Sequence, residues 1–327
     1  MNVERNIVLV TGAAGWIGRQ VCENLQRKGQ SVAAFDRIAC QGPWSQSFVG
    51  GLDSLASPPD ELAALLKRTF AVVHCAGRAH RPIETKEEVA AFEETNFGGT
   101  RDLVAACHNA GVARIVYVAS IAAYDWAKAP FSGAAEDGEM RPTTAYSSTK
   151  LRGERVVSES TLDWRAVRLA TVFGPGDKAN FAKLARGIRR KRFVVPGKGA
   201  ARKSVIPVEI AAEVLARLAL DSSPRHRLMN VALTDAPTLR GLCDDFSRAC
   251  GFGRAPSIPL SVLRSGAFVG GLITRLWPAF PLTTSTLNKL ITSTVVDNRR
   301  LRETFPDLPM PSFYEALKTS AAYYKDL

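Results

Sequence analysis

The sequence lacks closely spaced cysteines of the kind that bind zinc or exchange electrons. None of its six cysteines belongs to a C-x-x-C pair, and only Cys243 and Cys250 lie within ten residues of each other. No ligand spacing relates His80, His108 and His226. The sequence therefore predicts no metal site. Scattered cysteines also indicate a reduced protein, and we expect a cytoplasmic location.

A long uninterrupted hydrophobic run is also missing. The longest candidate, residues 258–280, is broken by Pro259, Arg264, Arg275 and Pro278, whereas about 20 consecutive apolar residues are needed to cross a bilayer. The first six residues carry opposing charges instead of the basic region and apolar run of a signal peptide. We therefore expect neither a membrane span nor secretion.

Acidic residues are fewer than basic ones, with 31 Asp and Glu against 43 Lys and Arg, a formal net charge of +12. The densest basic cluster spans residues 186–192, and no aromatic side chain is interleaved within 189–192 as a platform for single-stranded nucleic acid requires. The alternative interpretation of this basic cluster is the solvated end of a helix, without a binding function. We expect an anionic small-molecule substrate as the partner and no nucleic acid.

Short apolar runs suited to buried strands alternate with segments of helical periodicity. Hydrophobic residues make up 46% of the 327 residues, which indicates a globular protein with a sizeable core and excludes a bare binding motif. Because this alternation produces parallel βαβ units, the sequence predicts an α/β fold with a Rossmann-type doubly wound parallel sheet. The predicted strands are residues 7–10, 31–35, 71–74, 115–119 and 166–169, and the predicted helices include 61–67, 92–110 and 146–158.

A glycine-rich turn connects the first predicted strand to a helix. Gly12, Gly15 and Gly18 have the spacing that allows a tight turn, a close approach to a pyrophosphate and close packing of helix against strand. The helix N-terminus would offer unpaired N–H groups to the phosphates. Asp36, at the end of the next strand, would bind the ribose hydroxyls and repel a 2′-phosphate, so NAD is predicted and NADP is less favoured. Arg37 beside it weakens that preference.

Three further residues indicate proton transfer. Tyr146 and Lys150 are four residues apart and so lie on one face of a helix. A free tyrosine has a pKa near 10, and the Lys150 ammonium favours its phenolate and brings Tyr146 within range as a general acid or base. Ser120 ends a predicted strand, where ligand sites of such sheets lie, and its hydroxyl is suited to bind the reacting oxygen.

With these motifs in place, the sequence resembles the extended short-chain dehydrogenase/reductase family, of the NAD-dependent epimerase/dehydratase type. The resemblance is clear from residue 7 to about residue 214 and looser in the C-terminal third. It rests on six stretches in family order: TGAAGWIG (11–18), VHCAG (73–77), TNFGGT (95–100), YVAS (117–120), PTTAYSSTK (142–150) and FGPG (173–176).

The resemblance implies a role for each matched residue. Lys150 would bind the nicotinamide ribose and Asn96 would support the site from the neighbouring helix, while Asn180 would meet a substrate diphosphate. The catalytic residues would be Ser120, Tyr146 and Lys150. Around the cofactor we expect Gly12, Ala14, Gly15, Trp16, Ile17, Gly18, Asp36, Arg37, Leu52, Ala76, Gly77, Asn96, Tyr146 and Lys150, and on the substrate side Ser120, Tyr124, Asn180, Arg202 and Lys203.

The pattern of the chain changes after about residue 171. Glycine and proline punctuate short segments there, and the C-terminal third is rich in proline and arginine. We predict an NAD-binding Rossmann domain over residues 1–170 and mainly a substrate-binding lobe over 171–327. The boundary is gradual, with sheet strands continuing past residue 170. The resembled family also implies a homodimer built on two helices.

Residues that are missing from the predicted site limit the types of reaction that the protein could catalyse. Sugar dehydratases of the family carry Asp-Glu after the strand-end residue, where this chain has Ile121 and Ala122, and epimerases acting beside a keto group use a Cys that is missing here. Hydride transfer at one carbinol carbon remains. We expect a nucleotide-sugar 4-epimerase or 4-keto-reductase. The alternatives are a dehydrogenase of 3β-hydroxysteroids or other hydrophobic alcohols, and a non-catalytic NAD-sensing or nucleic-acid-binding protein.

Overall fold

Strands and helices alternate through most of the chain. The computed structural model describes residues 4–42, 44–78, 85–273 and 283–327. The strands are β1 (Ile7–Thr11), β2 (Ser31–Asp36), β3 (Gln46–Val49), β4 (Thr69–His74), β5 (Arg114–Ser120), β6 (Asp163–Leu169), β7 (Thr171–Phe173), β8 (Val195–Pro196), β9 (Val205–Pro207), β10 (Leu228–Val231) and β11 (Ser257–Ile258). The helices are α1 (Trp16–Arg27), α2 (Asp60–Arg68), α3 (Lys86–Phe92), α4 (Gly99–Ala110), α5 (Ala145–Ser158), α6 (Asn180–Arg189), α7 (Val208–Leu220), α8 (Leu239–Cys250), α9 (Leu260–Ile273), α10 (Thr284–Ile291), α11 (Arg299–Thr304) and α12 (Phe313–Lys325).

Seven strands form one parallel sheet in the order β10-β6-β5-β4-β1-β2-β3. The chain runs outward from β1 to β3 and then returns to place β4 on the other side of β1. Ligands of such sheets bind at this reversal point, beyond the carboxyl ends of β1 and β4. The predicted doubly wound α/β fold is confirmed.

Helices cover both faces of the sheet because its central strands are apolar on both sides. Val8 and Val10 of β1 belong to the core that contains α1 and α7, whereas Ile7 and Leu9 belong to the core that contains α2 and α4. All four side chains are at most 2% exposed. Continuous apolar runs in β1 and its neighbours are therefore what a sheet buried on both sides requires.

One predicted strand begins earlier than its apolar run. The sequence places a strand at residues 166–169, yet β6 starts at Asp163 and includes Arg165. The Arg165 side chain is fully buried, and its guanidinium donates to the carbonyls of Leu218 and Asp221 at the end of α7 and to Asp163. Because these hydrogen bonds satisfy its guanidinium, Arg165 can lie within a buried strand. Hydropathy alone does not indicate a strand at such a residue.

The helix predicted over residues 92–110 begins earlier, at Lys86, and changes its winding along its length. α3 ends at Phe92, a π-helical segment occupies Glu93–Gly98, and α4 starts at Gly99. The wider turn carries Asn96, whose side chain is 1% exposed and bonds to groups outside the helix. π-Helical turns of this kind concentrate at functional sites.

Residues beyond 170 contribute to the main sheet and also form a second cluster of elements. β10 extends the sheet next to β6, and α7 packs against α1. The remaining elements include two small parallel pairs, β7 with β9 and β8 with β11, and a buried aromatic group formed by Phe173, Phe181, Phe246, Phe313 and Tyr324. All six cysteines are free thiols. Within the described ranges, no helix has the length and apolar character needed to cross a membrane.

Candidate active site

The glycine-rich turn fits tightly between β1, β4 and α1. Gly12 has a φ of +71° and its amide donates to the carbonyl of Phe35 at 2.8 Å. A Cβ at Gly12 would lie 2.6 Å from the Ala76 amide nitrogen, and a Cβ at Gly18 would lie 2.2 Å from the Gly12 carbonyl oxygen. Both positions therefore exclude a side chain, and the turn stays open to a bound group on its outer side.

The N-terminus of α1 leaves its donors available to an anion. Gly15 is the N-cap residue, it provides no side-chain cap, and the first turn contains no acidic residue. Unpaired N–H groups and the positive end of the helix dipole suit a pyrophosphate. Because Gly12 and Gly18 let the turn pack closely against the start of α1, this part of the site fits the diphosphate of a dinucleotide.

Asp36 connects the turn to the end of β2. Its Oδ2 accepts a hydrogen bond from the Ala14 amide at 3.0 Å, and its Oδ1 accepts one from the Ile38 amide at 3.1 Å. The carboxylate is thus oriented beside the turn and retains lone pairs for the two hydroxyls of a ribose. Arg37 next to it is exposed. The structure brings Ala14 and Asp36 together as the cofactor prediction requires.

Trp16 makes a contact that the sequence does not indicate. The indole N–H donates to the carbonyl of Pro175 at 2.6 Å, and a Cβ at Gly176 would lie 2.7 Å from the indole Cδ1. The side chain therefore packs on the turn that precedes α6, while its backbone opens α1 with Ile17. Trp16 therefore connects the predicted pyrophosphate site to the segment that precedes Asn180.

Ser120 and Tyr146 lie together at the carboxyl edge of the sheet. Ser120 is the last residue of β5, and Thr144 caps α5 by accepting a hydrogen bond from the Ser147 amide at 3.1 Å, which places Tyr146 in the first turn. A hydrogen bond joins the Ser120 and Tyr146 side chains. The edge of the Phe92 ring packs against the Tyr146 ring, with centroids 6.2 Å apart.

Opposing influences act on the ionisation of Tyr146. Burial raises the pKa of the Tyr146 phenol, and the hydrogen bond with Ser120 lowers that pKa. Burial also lowers the pKa of Lys150 to about 8, and the negative charge of Glu154 opposes this shift. Lys150 therefore stays mostly protonated at neutral pH, and it lies one helical turn after Tyr146 on α5.

Asn96 joins the ends of β4 and α5 through its amide. Its Oδ1 accepts from the Arg78 amide at 2.7 Å, and its Nδ2 donates to the Arg78 carbonyl and to Thr149 Oγ1 at 3.2 and 3.3 Å. A Cβ at Gly77 would lie 3.1 Å from Asn96 Oδ1 and 3.7 Å from Lys150 Nζ. Gly77, Asn96 and Lys150 are thus neighbours, and the glycine keeps the space beside the ammonium open.

A buried histidine connects the glycine-rich turn to α4. The His74 ring lies between Thr11 Oγ1 at 2.7 Å and Thr100 Oγ1 at 3.0 Å, and Thr11 Oγ1 accepts from the Ala76 amide at 3.2 Å. Burial lowers the pKa of His74 to about 3. The imidazole is therefore neutral and holds the backbone of the site instead of transferring protons.

The residues predicted for the substrate side are dispersed, and several have structural partners. Tyr124 is 2% exposed, and its hydroxyl donates to Asn230 Oδ1 at 2.8 Å. Lys203 Nζ donates to the carbonyls of Lys289 and Thr292 at the end of α10. Asn180 is exposed at the start of α6. These contacts join segments far apart in sequence, so the sequence carried no signal for them.

Arg202 and Leu52 complete the predicted set. The Arg202 guanidinium lies 5.3 Å from the centroid of the exposed Phe131 ring, and its Nε donates to the Ala236 carbonyl at 3.3 Å. Leu52 starts a 3-10 turn and packs on Gly99, where a Cβ would lie 2.7 Å from it.

No cluster of side chains able to hold a metal ion occurs in the described part of the chain.

Comparison with known proteins gives a family match and several relatives. The model of the NAD dependent epimerase/dehydratase family matches residues 8–232. A 2-alkyl-3-oxoalkanoate reductase of Stenotrophomonas maltophilia is 26% identical, over 95% of this chain and 97% of that protein. A UDP-glucose 4-epimerase of Vibrio cholerae is 31% identical, over 55% of this chain and 56% of the epimerase. The chain thus aligns with nearly the whole reductase and about half of the epimerase.

Similar folds occur among solved structures. MoeE5 in complex with UDP-glucuronic acid and NAD has a TM-score of 0.74 and 25% identity, covering 98% of this chain and 99% of that one. A UDP-glucose 4-epimerase of Thermotoga maritima has a TM-score of 0.75 at 17% identity, with the same coverage. A family match over more than half of the chain, at the site described above, shows that this protein is an NAD-dependent enzyme of the NAD-dependent epimerase/dehydratase family.

Proposed function

We propose that the enzyme moves a hydride at one carbinol carbon of a nucleoside diphosphate sugar, as a 4-epimerase or a 4-keto-reductase. The observation that carries this proposal is the hydrogen-bonded pair of Ser120 and Tyr146, with Lys150 on the same helix as Tyr146 and beside Gly77. These groups serve proton transfer to and from one oxygen. They stand at the edge of the sheet where the dinucleotide turn also lies.

The chain's own residues would divide the work at that oxygen. Ser120 binds the substrate hydroxyl, Tyr146 as phenolate accepts its proton, and the Lys150 charge stabilises the phenolate. NAD, held by the turn with Asp36 at its ribose, supplies the hydride acceptor when it is bound. In a reductase Tyr146 returns the proton to the new alcohol oxygen. In an epimerase the keto sugar turns over, the hydride returns to the opposite face of the same carbon, and Tyr146 returns the proton to the oxygen.

The surroundings of Ser120 support a reaction without elimination of water. The residues after Ser120 form the 3-10 turn Ile121–Ala123, with Ile121 and Ala123 buried. No carboxylate stands at these positions, where an elimination would need a second acid and base. Removal and return of a hydride requires only the groups already present.

Positively charged residues on the predicted substrate side support a substrate that carries a diphosphate group. Arg202 is only partly buried, and Nε is the guanidinium nitrogen that makes the hydrogen bond to Ala236. Its terminal nitrogens are suited to grip a phosphate with two donors. Lys203 is a poorer candidate because its ammonium already donates to two carbonyls. Relatives and structural neighbours that act on or bind UDP-sugars agree with this substrate class.

A second candidate is a reductase or dehydrogenase of hydrophobic alcohols. It is favoured by the alignment with the 2-alkyl-3-oxoalkanoate reductase over nearly the full length of both chains. A mouse sterol-4-alpha-carboxylate 3-dehydrogenase is also 29% identical over 51% of this chain and 46% of that enzyme. The apolar sequence of α9, Leu260–Ile273, is compatible with a cover over such a substrate.

Thermal unfolding of the NAD-saturated protein with UDP, GDP or dTDP tests the first candidate. We expect one nucleoside diphosphate to raise the melting temperature, because a ligand that binds only the folded state stabilises it. Arg202→Ala should remove most of that increase, whereas Arg254→Ala, an exposed arginine of another region, should not. Absence of any nucleotide response, together with reduction of a 2-alkyl-3-oxoalkanoate by the protein supplied with NADH, would select the second candidate instead.

A further inference from the structure

Tyr117 is a buried aromatic residue that contacts the catalytic lysine. It lies in β5, three residues before Ser120, and its side chain is fully buried. The Lys150 ammonium is 4.4 Å from the centroid of the Tyr117 ring. A cation above the face of an aromatic ring is attracted by the negative face of the π system, and more strongly when water is excluded.

The ring has little competition for the ammonium. Among the residues that the structure describes, no carboxylate forms an ion pair with Lys150. Glu154, four residues further along α5, is engaged by Arg168 in two hydrogen bonds of 2.9 and 2.6 Å. Lys150 is 6% exposed, so water does not surround its charge either. The Tyr117 ring is therefore a main source of stabilisation for a buried charge.

The hydroxyl of Tyr117 fixes the position of the ring against α5. It donates to the Lys150 carbonyl at 3.2 Å. A Cβ at Gly153 would lie 2.4 Å from this hydroxyl oxygen. Glycine within a helix is unfavourable, so its presence one turn after Lys150 is accounted for by the space that Tyr117 occupies.

We propose that Tyr117 is a positioning residue that holds the Lys150 ammonium in the active site and favours its charged form. The inference rests on the proposed function only in giving Lys150 the task of stabilising the Tyr146 phenolate. Without the ring, the buried amine would lose its proton at a lower pH. Tyr146 would then lack the positive charge that favours its ionised form.

Other titratable groups around Lys150 do not replace the ring. From β4, burial raises the pKa of the Cys75 thiol to about 12 and lowers that of His74 to about 3, so both are neutral near pH 7. From α5, burial raises the pKa of Tyr146, and the charge of Glu154 is opposed by Arg168 of β6. Asn96 on the π-helical segment is uncharged.

Titration of Lys150 by NMR, with lysine labelled with carbon-13 at the ε position, measures this effect without any substrate. Tyr117→Leu should lower the pKa of the Lys150 amine by about one unit, a tenfold change in its protonation constant. Tyr117→Phe, which keeps the ring, should stay close to wild type. Tyr314→Leu, which removes a partly buried ring beside Lys318, should leave the Lys150 titration unchanged.

Activity gives a second readout. The pH profile of turnover in the oxidative direction should shift to higher pH in Tyr117→Leu, because more alkali is needed to ionise Tyr146. If the leucine variant does not fold, fluorinated phenylalanines at position 117 keep the shape and weaken the ring face in steps. An unchanged Lys150 pKa in either series, or an equal shift in Tyr117→Phe, overturns the proposal. Failure to find a nucleotide-sugar substrate would leave the NMR result untouched.

Discussion

At the scale of single residues, Tyr146 combines effects that oppose each other. Burial disfavours its phenolate and the Ser120 hydrogen bond favours it; we propose that the charge of Lys150, one helical turn away, favours it as well. A general acid or base works best when its pKa lies near the pH at which the enzyme operates. Burial moves the pKa of Tyr146 away from that range, so polar neighbours are needed to bring it back.

Replacing Tyr146 by Phe removes the proton-transfer group and keeps the ring that packs on Phe92. We expect turnover to fall about 10²- to 10⁴-fold, the range that general acid–base catalysis contributes. NAD binding, measured by calorimetry, should stay within about threefold of wild type because the glycine-rich turn and Asp36 are untouched. Turnover at the wild-type rate would remove Tyr146 from the mechanism.

Only part of the site could be predicted from residue patterns. Gly12, Asp36 and the Tyr146–Lys150 pair lie in short local motifs whose spacing carries their role. Tyr117 gave no such signal, because an aromatic residue within a strand is normally core packing. Lys203 illustrates the other limit, since the carbonyls it binds lie 86 and 89 residues further along the chain.

At the scale of elements, the junction of β1 and α1 is the most restricted part of the cofactor site. Gly18 in the first turn of α1 faces the Gly12 carbonyl so closely that no Cβ fits. The helix can approach the turn, and point its N-terminus at a diphosphate, only because this contact is between backbone atoms.

Gly18→Ala should therefore push α1 away from the turn. We expect a loss of stability of about 1–3 kcal/mol, the usual range for overpacking, together with weaker NAD binding. Gly253→Ala is the matched control, since a Cβ there meets no atom within 4 Å, and its effect should stay within about 0.5 kcal/mol. Urea unfolding and NAD titration of both variants measure the difference. Equal behaviour of the two variants would contradict this account of the turn.

Element boundaries show where periodicity stops being informative. β1, β2 and β4 extend the predicted strands by only one or two residues, because their apolar runs are buried on both faces. The helix predicted over 92–110 is present, but it contains a π-helical turn that the sequence did not indicate, which the hydrogen bonds of Asn96 to Arg78 and Thr149 favour. Such tertiary bonds leave no trace in local hydropathy.

At the scale of the whole molecule, His74 links folding stability to pH. Burial lowers its pKa from the ordinary 6.5 to about 3. Between these values the unfolded chain binds a proton at this residue and the folded chain does not, so stability falls as the pH is lowered. The contribution of His74 to this slope is up to about 1.4 kcal/mol per pH unit.

His74→Gln should remove this contribution while keeping a donor and an acceptor between Thr11 and Thr100. We expect the variant to lose less stability than wild type when the pH falls from about 6 to about 4. His108→Gln, at an exposed position, should retain the wild-type slope. Urea unfolding across this pH range gives the comparison, and identical slopes in all three proteins would contradict the assignment.

The position of β10 at the end of the sheet also affects how the protein is made. β6 is synthesised early, but its neighbour β10 and the carbonyls of Leu218 and Asp221 that engage Arg165 follow only after residues 170–217 have been added. During translation the nascent chain therefore presents β6 as an open edge, the kind of strand that pairs with other chains. A fragment cut near residue 170 should aggregate for the same reason. Folding around β6 is consequently completed only after β10 has been synthesised and has replaced β6 as the edge of the sheet.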